Sequence, residues 1–116
     1  MRVSNQLKVK NLTPHPVTIV RRLPNGHIIT LHTFPPSGEP VRLVVRTVRC
    51  GNINGIPLSR TMFGEPVNLP EQERGVLLIV SQLVKNTCPW RRDLVVPAEV
   101  VRNDRGAVVG CMSLGL

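Results

Sequence analysis

A chain of 116 residues, 41% of them hydrophobic, fits one domain spanning residues 1–116 and is too rich in Val, Leu and Ile to be a disordered segment. Its 15 Lys and Arg against 7 Asp and Glu, a net charge of +8, point to an anionic partner. The three widely spaced cysteines, Cys50, Cys88 and Cys111, show neither a disulfide framework nor a Cys-x-x-Cys metal or redox pair. No stretch approaches the ~20 apolar residues of a membrane helix.

In chain order, residues 7–11 read as a first strand, closed by the turn-like Thr13-Pro14-His15-Pro16. Residues 17–23 and 27–34 flank Pro24-Asn25-Gly26, an Asn-Gly hairpin signal. The run 41–50 alternates, with Val41, Leu43 and Val45 on one face and Arg42 and Arg46 on the other. A turn over 51–55 leads to a return strand over 56–63, which Gly64-Glu65-Pro66 is expected to break. The continuous apolar run 75–80 predicts a strand buried on both sides, followed by a short helix capped by Ser81. Residues 93–96 and 100–114 predict further strands, with a tight turn at Asn103-Asp104-Arg105-Gly106. Eleven prolines and nine glycines between β-branched segments therefore predict a mainly β fold, a β-rich α+β domain of short antiparallel strands with one short helix after Val80.

Arginine outnumbers lysine by 12 to 3, and a planar guanidinium matches two phosphate oxygens at once. The alternative is a solvated basic surface reflecting coding bias. Asn11, Thr13 and His15 sit in a proline-stiffened turn, where they can recognise a base, ribose or phosphate, or else satisfy the turn's own backbone. Ser81 stands where a strand gives way to a helix, a place suited to an anion or simply to capping. Arg92 and Arg102 are phosphate candidates, and Trp90 or Phe63 can stack on a base; Arg60 and Thr61 adjoin Phe63. His15, His27 and His32 show no metal spacing, so no metal and no cofactor is expected. An aromatic content of 3% with no tyrosine argues against a sheet that stacks successive bases.

Several segments occur in one order: Asn11-Leu12-Thr13-Pro14-His15, Pro35-Pro36-Ser37-Gly38, Arg60-Thr61 with Phe63-Gly64-Glu65, and Leu78-Ile79-Val80-Ser81, then Arg92-Asp93-Leu94, Pro97, and Val101-Arg102-Asn103-Asp104 through Gly110-Cys111. In this pattern the chain resembles, over nearly its whole length, a group of small proteins encoded in bacteriophages, prophages and actinobacterial genomes. The group carries a sequence pattern without a defined activity, so no catalytic residue transfers. The resemblance implies a small phage-type accessory protein. Some proteins of that kind act against host defence by soaking up cyclic nucleotide or ADP-ribose signals between subunits.

The resulting expectation is a cytoplasmic homo-oligomer, in the host cytoplasm if phage-encoded, that sequesters a small nucleotide-derived ligand through Asn11, Thr13, His15, Arg60, Thr61, Phe63, Ser81, Arg92 and Arg102. One alternative is a metal-independent phosphodiesterase with His15 as acid or base. A second is a nucleic-acid-binding module using the arginine face of residues 41–50, and a third is a virion or takeover protein whose polar turns are architectural. The first residues, 1–6, lack an apolar stretch of signal-peptide length, so no cleaved leader is expected.

Overall fold

A computed structural model describes residues 7–116; residues 1–6, on which the leader expectation rests, lie outside the described residues. The chain is mostly β with one short helix, as its composition predicts. Strands β1 (Lys8–Asn11), β2 (Val17–Arg22), β3 (Ile28–Phe34), β4 (Arg42–Ile53), β5 (Ile56–Val67) and β6 (Val76–Ile79) precede helix α1 (Gln82–Thr87), and β7 (Leu94–Arg102) and β8 (Val108–Gly115) follow it. Six strands form one sheet in the order β1-β6-β7-β8-β2-β3, while β4 and β5 pair only with each other.

Local chemistry explains most boundaries. The β2–β3 hairpin turns at Pro24-Asn25-Gly26, where Gly26 takes φ +86° and the Leu23 amide donates to His27 O at 2.7 Å. Antiparallel pairs join β2 to β3, β4 to β5 and β7 to β8. Parallel pairs join β1 to β6, β6 to β7, and β2 to β8. The β6–α1–β7 segment is a short crossover that α1 makes possible. Ser81 caps that helix by accepting from the Val84 amide at 3.2 Å.

Residues 93–96 and 100–114 differ in one respect from their sequence reading. The first strand runs through Pro97 to Arg102 before the Asn103–Gly106 turn. Pro97 is tolerated because β6 pairs with β7 only at Leu94 and Val95, so beyond them one edge of β7 needs no donor.

Alternate residues of β6 and the following Val80 feed two apolar clusters. Leu78 and Val80 pack with Leu12, Val41, Val84, Cys88, Leu94 and Val96, whereas Ile79 packs with Val17, Val95 and Cys111. This is the doubly buried strand the apolar run predicts: Ile79 and Val80 are both fully buried.

The remaining element is an arm. Strand β4 extends past Cys50 to Ile53, and β5 passes Gly64-Glu65-Pro66 to reach Val67, each 12 residues long. Asn54 and Gly55, with φ +51° and +80°, close it as a two-residue turn between the paired Ile53 and Ile56. The expected break at Gly64-Glu65-Pro66 is absorbed by a bulge between the Leu43–Pro66 and Val45–Phe63 pairs. At ~3.4 Å per residue the arm is about 40 Å long, which accounts for a longest dimension of 55 Å.

Candidate functional site

The nine candidate residues fall into four places. The first is the bend after β1. Asn11, almost fully buried, donates from Nδ2 to the carbonyls of His15 at 2.7 Å and Phe34 at 2.8 Å. Its Oδ1 accepts from the Thr13 amide at 3.0 Å and the Thr13 hydroxyl at 2.6 Å. Thr13 Oγ1 also reaches His15 O at 2.9 Å. Both side chains are thus engaged in fixing the turn, and they leave the His15 imidazole projecting into solvent. Ser81 lies at the same end of the sheet, since Asn11 is in register with Ile79 and the Leu12 amide donates to Ile79 O at 2.9 Å.

Arg92 stands elsewhere, in the loop that enters β7, at the opposite end of β6 from Ser81. Its neighbour Arg91 forms the ion pair of this loop, with Nε and Nη2 donating to the two Asp93 oxygens at 2.9 Å each. Nη2 also donates to Pro70 O at 2.9 Å. The Asp93 hydrogen bonds raise the already high pKa of Arg91, so Arg91 is structural, whereas Arg92, next to the exposed Trp90, is itself exposed and has no carboxylate partner among the described residues.

Arg102 is in a third place, at the far end of β7. Seven residues beyond Val95, it is about 23 Å further along the strand. Its Nη1 donates to Gly106 O at 2.7 Å. Arg102 pairs with Val108, which helps line a cleft of about 190 Å³ between Pro16-Val17-Thr18, Pro97, Val100 and Val108–Cys111. His15 precedes the opposite wall of that cleft at Pro16. The walls are largely apolar. Burial pushes the Cys111 thiol up, and its Sγ lies 3.7 Å from Thr18 O, so it is a poor nucleophile and its hydrogen bond is weak.

The fourth place is the arm. Cross-strand partners share a face of a ribbon, so Arg46 with Met62, and Val48 with Arg60, lie on one side, while Val45 with Phe63, and Thr47 with Thr61, lie on the other. Arg60 is therefore separated from Thr61 and Phe63, its neighbours in sequence. Beyond Leu43 both faces are exposed. The arginine face of Arg42 and Arg46 also carries Val44 and Val48, and its reverse is exposed past Leu43. At the bulge, Val44, Arg46, Met62, Phe63 and Gly64 line an open cleft of about 270 Å³. A Cβ on Gly64 would sit 3.4 Å from Val44 Cβ, so the glycine keeps this floor flat.

Compared with protein-family models, curated proteins and solved structures, the chain matches none. Among the described residues no helix is long and apolar enough to cross a membrane, and no cluster of His, Cys, Asp or Glu is arranged to hold a metal. In the arm cleft an apolar floor adjoins Arg46, which has no carboxylate partner among the described residues. Arg46 is visible in the sequence on the arginine face of residues 41–50, and Met62 and Phe63 beside Arg60-Thr61, but their meeting at one cleft depends on the arm's register.

Proposed function

We propose that this protein binds and sequesters a phosphate-bearing, nucleotide-derived molecule of the cyclic nucleotide or ADP-ribose type, acting as a cytoplasmic homo-oligomer in phage counter-defence. The observation that carries the reading is the arm cleft. Its floor of Val44, Met62 and Gly64 suits the face of a base, with Phe63 at the bulge and Arg46 at its margin. Arg60 is on the same ribbon face, opposite Val48. Among the described residues neither arginine has a carboxylate partner, so both remain available to phosphate oxygens. A cleft of 270 Å³ is slightly below the ~300–1,000 Å³ of small-molecule sites, as befits a half-site that a second subunit closes.

The test is thermal stability against mononucleotides, cyclic dinucleotides and ADP-ribose, with the ligand recovered and chromatographed. A binder raises the melting temperature and returns its ligand intact. Arg46→Ala and Arg60→Ala each weaken binding by about tenfold or more, in line with a charge-assisted hydrogen bond of ~1.5–3 kcal/mol. Ligand returned cleaved supports the phosphodiesterase alternative, for which His15→Ala abolishes cleavage while sparing affinity. No shift with any nucleotide at millimolar concentration sinks the small-ligand reading.

A second reading is favoured by one feature of the arm. Arg42, Arg46, Arg49 and Arg60 are spread along its length against the single acid Glu65, and the major groove of duplex DNA admits a two-stranded ribbon. That reading requires affinity that grows with oligonucleotide length and falls steeply with salt, with a log–log slope of about −0.9 per phosphate contacted.

A further inference from the structure

The arm accounts for half of the large exposed hydrophobic side chains among the described residues, nine of eighteen, between Val44 and Val67. They are 39–64% exposed, and the seven on the face that carries Arg46 and Met62 together present roughly 600 Å², within the range of about 600–1,000 Å² that each partner contributes to a standard stable interface. A lone two-stranded hairpin is at best marginally stable in water, and this one projects with neither face covered. Nine large hydrophobics against four arginines is also the wrong composition for a nucleic-acid interface, which is polar and densely basic. The surface calls for protein.

We propose that the occupant is the arm of a second copy of this chain, packed face to face about a twofold axis. A twofold contact needs only one self-complementary patch, and the face bearing Val44, Val48, Leu58 and Met62 supplies it. Gly64 contributes no side chain on that face, which permits close approach. The same packing brings Arg46 and Arg60 of one protomer towards those of its partner. Facing cations repel unless an anion lies between them, so the interface closes the arm cleft with guanidiniums from both subunits around one site. This last step rests on the ligand reading above; the interface itself does not. Ligand and dimer then stabilise each other, because a phosphate-bearing molecule held between the arms favours the paired state.

Light scattering during size-exclusion chromatography tests the interface, with the wild-type chain beside the Val48→Asp, Met62→Asp double variant. Both substitutions lie outside the apolar clusters of the body, so circular dichroism and a cooperative melt should show the variant folded. The wild type elutes as a dimer or a multiple of it, and the variant as a monomer. A wild type that remains monomeric at about 100 µM, or a folded variant with unchanged oligomeric state, overturns the interface. A nucleotide found to bind in the panel above should lower the dimer dissociation constant at least about tenfold. If the dimer forms but no nucleotide tightens it, the ligand coupling falls and the interface stands. If a monomer binds nucleotide or duplex DNA with full affinity, the interface falls and the corresponding binding reading stands.

Discussion

The Asn11 carboxamide joins the bend after β1 to the end of β3 through one buried group. It donates to the carbonyls of His15 and Phe34 and accepts twice from Thr13. The Asn11 carbonyl meanwhile accepts from the Ser37 amide at 2.8 Å, and the next carbonyl, of Leu12, accepts from the Val41 amide at 2.9 Å. The bend after β1, the end of β3 and the segment leading into the arm are thus locked at Asn11 and Leu12. Removing such a group strands polar atoms of its neighbours, and that loss exceeds the net worth of the bonds themselves. Asn11→Ala is therefore expected to destabilise the fold by about 2–4 kcal/mol, and Asn11→Asp comparably, because an ionised carboxylate cannot donate to two carbonyls. Urea unfolding followed by circular dichroism measures this. If stability hardly changes while ligand affinity collapses, Asn11 is a recognition residue and not a structural lock.

At the level of elements, the join between β8 and β2 depends on a missing side chain. A Cβ on Gly110 would lie 2.7 Å from Val20 Cγ1 and 2.9 Å from Thr18 O, closer than non-bonded atoms normally approach. Because β2 joins the sheet along β8, Gly110→Ala has to push β2 away from β8. The expected cost is about 1–3 kcal/mol, seen as a lower melting temperature and faster amide exchange in β2 and β3. Unchanged exchange there would mean the strands can shift freely. Local chemistry made several elements legible in the sequence: the Asn25-Gly26 and Asn103–Gly106 turns, the apolar run of β6, and the Ser81 cap. Pairings between distant segments, such as the parallel β1–β6 and β2–β8 contacts, leave no local trace. Alternation over residues 41–50 marks the strand and the face that Arg42 and Arg46 share. A half-buried strand and a ribbon bare on both sides write the same period-two pattern, however, so the alternation carries no sign that the arm projects. The candidate site was legible to the same extent: residue types that bind phosphate were visible, but the face each occupies follows from register.

Considered as a whole molecule, the chain joins a packed body to an arm that shares little with it. The Cα radius of gyration is 17.7 Å, against about 13 Å for a compact chain of this length, and the arm supplies the difference. Only its root enters the core: Val41 is buried and Leu43 packs beside it, while the pairs Arg42–Val67 and Leu43–Pro66 close the base. Loop-closure entropy changes slowly with length, so the body should not need the arm to fold. Replacing residues 44–65 with a two-residue Asn-Gly turn is expected to leave one cooperative unfolding transition. Small-angle scattering should then give a radius near 12–13 Å. The excised chain should be monomeric and should lose nucleotide affinity together with oligomerisation, since both are assigned to the same ribbon. Excision also removes any stabilisation that assembly provides, so its melting temperature should not vary with protein concentration, whereas that of the wild type should rise with it. A body that unfolds on excision would place the arm within the folding unit, and the exposure of its apolar side chains would then need a different explanation from assembly.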